Sequence, residues 1–248
     1  MPIHDYRLIL AREPRPHEEV LDAVYEKYAT SNPFFPVTHF VDHVTMGAEA
    51  LIGLGLGGRV GAWIARQDVR PYAPPSKGIA IVTDWARALG RPECHGDWSR
   101  QLESELRESR VQDVLARWVP RFAHEPGAWL FHGLIRTGHA VRALDHRDTP
   151  ARRGELARGL ALRAIGVKTQ PPAERSEAGT NVDVTAEIPR FARAGAAAFI
   201  RAPSAPNLHL VTGPMAYLLI AHHLMRARTA SRWRALPGRM PESARASR

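Results

Sequence analysis

The stretch Trp129-Leu-Phe-His-Gly-Leu-Ile-Arg-Thr-Gly-His-Ala-Val-Arg-Ala-Leu144 reads as a helix despite Gly133 and Gly138, and the fold is built outward from it. Phe131, Leu134, Ile135, Val141 and Leu144 give it apolar surroundings. His132 and His139 stand about two turns apart, so they differ by only about 20° around the axis and share one face. Arg136 lies between them on nearly the same face. Two imidazoles and a guanidinium pointing one way into a bundle form either a polar network or a site.

Spacing alone leaves that choice open. Two metal ligands on one helix usually sit three or four residues apart, because those side chains reach the same ion. His132 and His139 are separated by about 10.5 Å of rise, so one ion could take both only if the side chains lean together or the helix distorts near Gly133 or Gly138. Satisfied core histidines are the alternative, since buried polar groups generally find partners.

Outward from this stretch the pattern remains helical. His17–Tyr28, a segment from about Asp42 through Leu51, Val60–Arg66, Thr83–Leu89, Ser99–Val119, Gly154–Ile165, Ile188–Ile200 and Leu208–Arg228 are all expected as helices, with Asp42 and Ser99 as caps. Residues 1–15 read as an irregular lead-in and 169–186 as a polar linker, within which 181–185 could form a brief strand. The expected fold is mainly α: a single-domain helical bundle over residues 1–225, followed by a polar basic tail, 226–248.

That tail explains the charge. The formal net charge is +9, but seven arginines from Arg226 to Arg248 stand against Glu242 alone, leaving residues 1–225 only mildly basic. A solvated basic extension, with at most nonspecific and salt-sensitive affinity for anions, is expected rather than specific nucleic-acid recognition. Hydrophobic residues make up 44% and charged residues 24%, which argues against disorder throughout. The single cysteine, Cys94, excludes an internal disulfide, and no neighbour supplies the electropositive setting of a reactive thiolate. The N-terminus shows no signal-peptide pattern, and the apolar run Leu208–Met225 is studded with His209, His222 and His223, so no membrane span and a cytoplasmic location are expected.

Two further histidines open apolar segments: His43 in Asp42-His-Val-Thr-Met46, and His209 in His209-Leu-Val-Thr-Gly-Pro-Met215. Helical bundles build cofactor sites from inward side chains on facing helices, so four histidines on three helices could hold a metal.

At these residues a family resemblance enters. His132–Leu144 resembles the signature of the questin oxidase-like family, as do Val114-Leu-Ala-Arg-Trp-Val-Pro120, His43-x-x-Met46 with Glu49-Ala-Leu51, and His209-Leu-Val-Thr-Gly213 with Ala216. The resemblance spans about residues 40–225. It implies an oxidoreductase that inserts oxygen into, or cleaves, a ring of an aromatic, quinone-like polyketide. It implies non-heme iron with His43, His132, His139 and His209 as ligands, with His139 and Arg136 in catalytic roles, Arg136 orienting a substrate oxygen or bound oxygen species. Arg136 as a helix charge paired with a neighbour is the plainer alternative. NADPH-dependent Baeyer–Villiger oxidation, with histidines as acid–base groups, is the second chemistry it implies. The chain departs from the family in lacking an Asp-Ala-His-x-x-Lys segment near its end and an aromatic pair in Ala161–Lys168, so a truncated, non-catalytic helical member is the third reading.

Gly53-x-Gly55-x-x-Gly58 matches the dinucleotide fingerprint by letter. The fingerprint needs a strand before it, whereas Thr45–Ile52 looks helical, so these glycines are expected to end a helix.

Overall fold

The computed structural model describes residues 17–34, 41–67, 70–122, 127–167 and 184–234. Among them run ten α-helices and no strand: α1 (Glu18–Lys27), α2 (Val44–Gly53), α3 (Val60–Ile64), α4 (Ile81–Ala88), α5 (His95–Glu108), α6 (Val111–Trp118), α7 (His132–His146), α8 (Pro150–Gly166), α9 (Val184–Arg201) and α10 (Ala205–Arg234). The mainly α bundle is as expected. Residues 1–15, read as lead-in, and 169–183 of the expected linker lie outside the described residues; 184–186, read as the end of the linker and of the brief strand, are helical instead. Helix α10 continues to Arg234, so the first part of the expected tail is helix, and 235–248 lie outside the described residues.

Helix α7 is the axis. A short turn returns the chain into α8, whose start is fixed by Thr149: its Oγ1 accepts from Arg152 N–H at 3.3 Å, and Pro150 takes the first helical position. The two helices run antiparallel and close. A Cβ on Gly133 would stand 2.7 Å from the Arg163 Cα, so the residue that weakens α7 as an isolated helix is what admits α8. On another side, Gly138 faces Ala216, where a Cβ would meet the Ala216 Cβ at 2.9 Å, and α10 packs there.

Helices α2 and α10 both run parallel to α7. His43 faces His132 and Glu49 faces His139, separations of 89 and 90 residues. His209 faces His132 and His223 faces Asp145, separations of 77 and 78. Constant offsets are the mark of parallel, in-register helices. Three helix N-termini therefore meet at one end of the bundle.

The main core packs α5, α6, α7 and α8, with Trp98, Trp118 and Phe122 nested at ring separations of 5.1–6.1 Å. A second apolar cluster, including Leu21, Val24, Tyr25, Val44, Ile52 and Val60, joins α1, α2 and α3. Arg152, fully buried, ties α1 to α8 through Glu18 at 2.5 Å and Asp22 at 2.6 Å.

Three local expectations are corrected. The single helix Ser99–Val119 is two helices, because Ser109 is extended (φ −124°, ψ 165°) and Arg153 donates to the carbonyls of Leu106 and Ser109, closing the end of α5. Ser99 is no cap, because α5 begins four residues earlier at His95; it lies inside α5 and donates to the His95 carbonyl. The helix expected from Trp129 begins at His132, since Trp129, Leu130 and Phe131 are left-handed, with φ of 52°, 52° and 64°. His95, within α5, is 4% exposed. Cys94 is buried, and burial pushes its thiol pKa up, away from reactivity. Gly53 ends α2, as expected of the glycine run.

Candidate metal centre

The left-handed turn 129–131 delivers His132 to the first position of α7. Such residues cost roughly 1–2 kcal/mol each for a side chain larger than glycine, so the surroundings must hold them. Part of the hold is His132 itself: its Nδ1–H donates to the Trp129 carbonyl at 2.5 Å. A carbonyl can only accept, so this bond fixes the tautomer and leaves Nε2 with a bare lone pair.

His209, one turn into α10, does the same with the Ala205 carbonyl at 2.5 Å. His43, just ahead of α2, hydrogen-bonds the Val41 backbone. Asp42 caps α2 by accepting from Val44 N–H at 3.0 Å, which places His43 at the helix mouth. The three rings then converge. His132 Nε2 lies 3.1 Å from His43 Nε2 and 3.1 Å from His209 Nε2, and all three ligand atoms fall within 4.8 Å of one another. His132 and His209 are buried; His43 is exposed and opens the group to solvent.

The contact between His132 and His209 is the informative one. Both Nδ1 protons are committed to carbonyls, so two neutral rings would set lone pair against lone pair. A proton or a cation must lie between them. Burial, reinforced by the neighbouring His43 and His209, holds the His132 pKa down to about 4 despite the Trp129 hydrogen bond, so near neutral pH the proton is absent from it. Partial desolvation of the ring likewise lowers the His43 pKa. Three helix N-termini add positive potential that opposes imidazolium formation. Neutral Nε2 donors with Nδ1 tied to a backbone carbonyl are what metal-bound histidines present. Ligands about 2.1 Å from one ion stand about 3.0–3.4 Å apart at octahedral or tetrahedral angles, and both 3.1 Å separations fit.

The fourth expected ligand, His139, is not in this group. Its Nδ1 bonds Glu49 at 2.7 Å, and Arg142 grips the same carboxylate. Burial would raise the Glu49 pKa, but these hydrogen bonds hold it well below the usual carboxylate range. The physical reason is the straight helix: α7 is undistorted between His132 and His139, so the two turns of rise keep them apart. Arg136 is also elsewhere. Its guanidinium clasps Glu155 bidentately at 2.7 and 3.1 Å, both side chains buried.

The partners of this site were not visible in the sequence. Backbone carbonyls of Val41, Trp129 and Ala205 orient the rings, and no residue type announces them. Glu49 was named within a motif but given no role, and Glu155 sat unremarked in a helix. No protein-family model, curated protein or solved structure matches the chain.

Proposed function

We propose that the chain is an oxygen-dependent oxidoreductase of the questin oxidase-like type, with one non-heme iron held by His43, His132 and His209. The observation that carries the metal is the convergence of the His43, His132 and His209 Nε2 atoms, with the Nδ1 of His132 and of His209 each bonded to a backbone carbonyl. The oxidative chemistry rests on the motif resemblance around these same histidines. Bound iron would supply binding and activation of dioxygen at its open positions.

The chain's own residues have distinct tasks in this reading. Trp129, Ala205 and Val41 carbonyls keep the three rings aimed. His43 leaves the solvent side open for a substrate. The N-termini of α2, α7 and α10 favour negative charge at that opening, which suits an ionised phenol or hydroxyquinone better than a neutral ring. Glu49, held by Arg142, orients His139 beside the group. Arg136, bound to Glu155, takes no part in oxygen or substrate handling.

The test is elemental analysis of protein loaded anaerobically with Fe(II). About one ion per chain is expected in the wild type, lost in His132→Ala and in His209→Ala, and kept in His139→Ala. Absence of metal from folded wild type would overturn the iron centre and leave a histidine network. Retention of zinc in preference to iron, with no oxygen uptake on anthraquinones, would overturn the oxidative reading while leaving the metal site standing.

A further inference from the structure

A separate cavity of about 60 Å³ lies where the loop after α1, the extended stretch before α4, and helices α5, α7 and α8 meet. Tyr72, His95, Ser99, Glu103, Arg136 and Arg158 form the informative part of its wall, and none of the clustered histidines reaches it. The space is too small for a fused aromatic ring but admits about two waters or an ion of a few heavy atoms.

Two residues of its wall each carry a donor that no described group takes. Arg136 spends Nε and Nη2 on Glu155. Arg158 spends Nε on the same carboxylate at 2.9 Å and Nη2 on the Tyr25 carbonyl at 3.2 Å. The Nη1 of each guanidinium has no hydrogen-bond partner among the described residues. The other polar groups largely satisfy one another: Ser99 donates to the His95 carbonyl at 2.9 Å, and the Tyr72 hydroxyl and His95 Nδ1 pair at 3.3 Å.

The ion pairs are unevenly shared. Two guanidiniums divide the Glu155 carboxylate, and Arg136 is 2% exposed, so bulk water screens its charge little. Burial works to raise the Glu155 pKa, yet Arg136 and Arg158 hold it down to about 2. Two other carboxylates lie nearby. Glu103 stands on the wall, and Asp42 is within electrostatic reach of Arg136 without bonding it. Neither takes the free Nη1 donors.

We propose that this cavity binds a small planar oxyanion, a carboxylate of the size of formate, between the unused Nη1 groups of Arg136 and Arg158, with the Tyr72–His95 pair closing its outer side. A guanidinium fork matches a planar carboxylate and discriminates against a spherical ion. The site does not depend on the metal centre.

The test is formate titration followed by thermal shift and by ¹³C-formate line broadening, at constant ionic strength balanced with chloride. A saturable rise in Tm with formate, absent with chloride, is expected. Arg158→Gln should weaken binding about tenfold, the effect of one charge-assisted hydrogen bond. Glu103→Gln, which removes the carboxylate on the wall, should tighten binding several-fold. A variant that had lost its fold could not bind more tightly, so this arm is independent of stability. A response linear in formate, an equal response to chloride, or no tightening in Glu103→Gln would each overturn the site.

Discussion

His95 shows what burial does to one ionisable residue. Burial, with Arg136 nearby, lowers its pKa from 6.5 to about 4. Between those values the unfolded chain holds a proton on His95 that the folded chain refuses. Stability must therefore fall as pH drops from about 6.5 to about 4, by an amount on the order of 3 kcal/mol, and level off below. Urea unfolding at stepped pH should show this slope in the wild type and a shallower one in His95→Gln. The buried pair behaves differently. Arg136→Met leaves the buried Glu155 to Arg158 alone and should cost about 1.5–3 kcal/mol, while Arg136→Met with Glu155→Leu should recover part of it; an additive double mutant would contradict the pairing. At this scale the sequence was half legible. His43, His132 and His209 were picked out because imidazoles on apolar helices are conspicuous. Their tautomers, and the departure of His139 to Glu49, depend on carbonyls and acids brought from other helices, which no local pattern encodes.

At the level of elements, the helices were legible and their ends were not. Apolar periodicity found α7, α8 and α10, but a left-handed turn at 129–131 looks like helical sequence, because Trp, Leu and Phe carry no signal for positive φ. Leu130 is 37% exposed, so it has little packing to lose. Leu130→Gly should relieve its left-handed strain and stabilise by up to about 1 kcal/mol in thermal unfolding; a loss of stability would mean that the turn is held by the Leu130 side chain. The opposite holds at Gly138. Gly138→Ala would push against Ala216 and should cost about 1–3 kcal/mol. It should also weaken metal uptake, because α10 carries His209. Unaltered metal affinity in a destabilised Gly138→Ala would show that the α7–α10 approach does not set the site.

Across the whole molecule, the packing is uneven. Helices α5, α7 and α8 share one core, whereas α9 leans almost wholly on α10 and leaves Phe191 61% and Ile200 78% exposed. Amide exchange should therefore be fastest in α9 and slowest in α7 and α8. Equal protection across these helices would reveal a partner on that face. No described helix is long and apolar enough to cross a membrane. The sequence could give the helical class, though it merged α5 and α6, but not that α2, α7 and α10 are parallel, because that order depends on long crossovers whose paths leave no periodic trace.

Those crossovers give the three histidines a mechanical meaning. His43 and His132 are 89 residues apart along the chain, and His132 and His209 are 77. An ion gripping all three rings would act as a staple closing two very large loops, and closing long loops restricts the unfolded chain most. Adding a chelator should then lower the melting temperature of the entire bundle, and not merely quench a local spectroscopic signal.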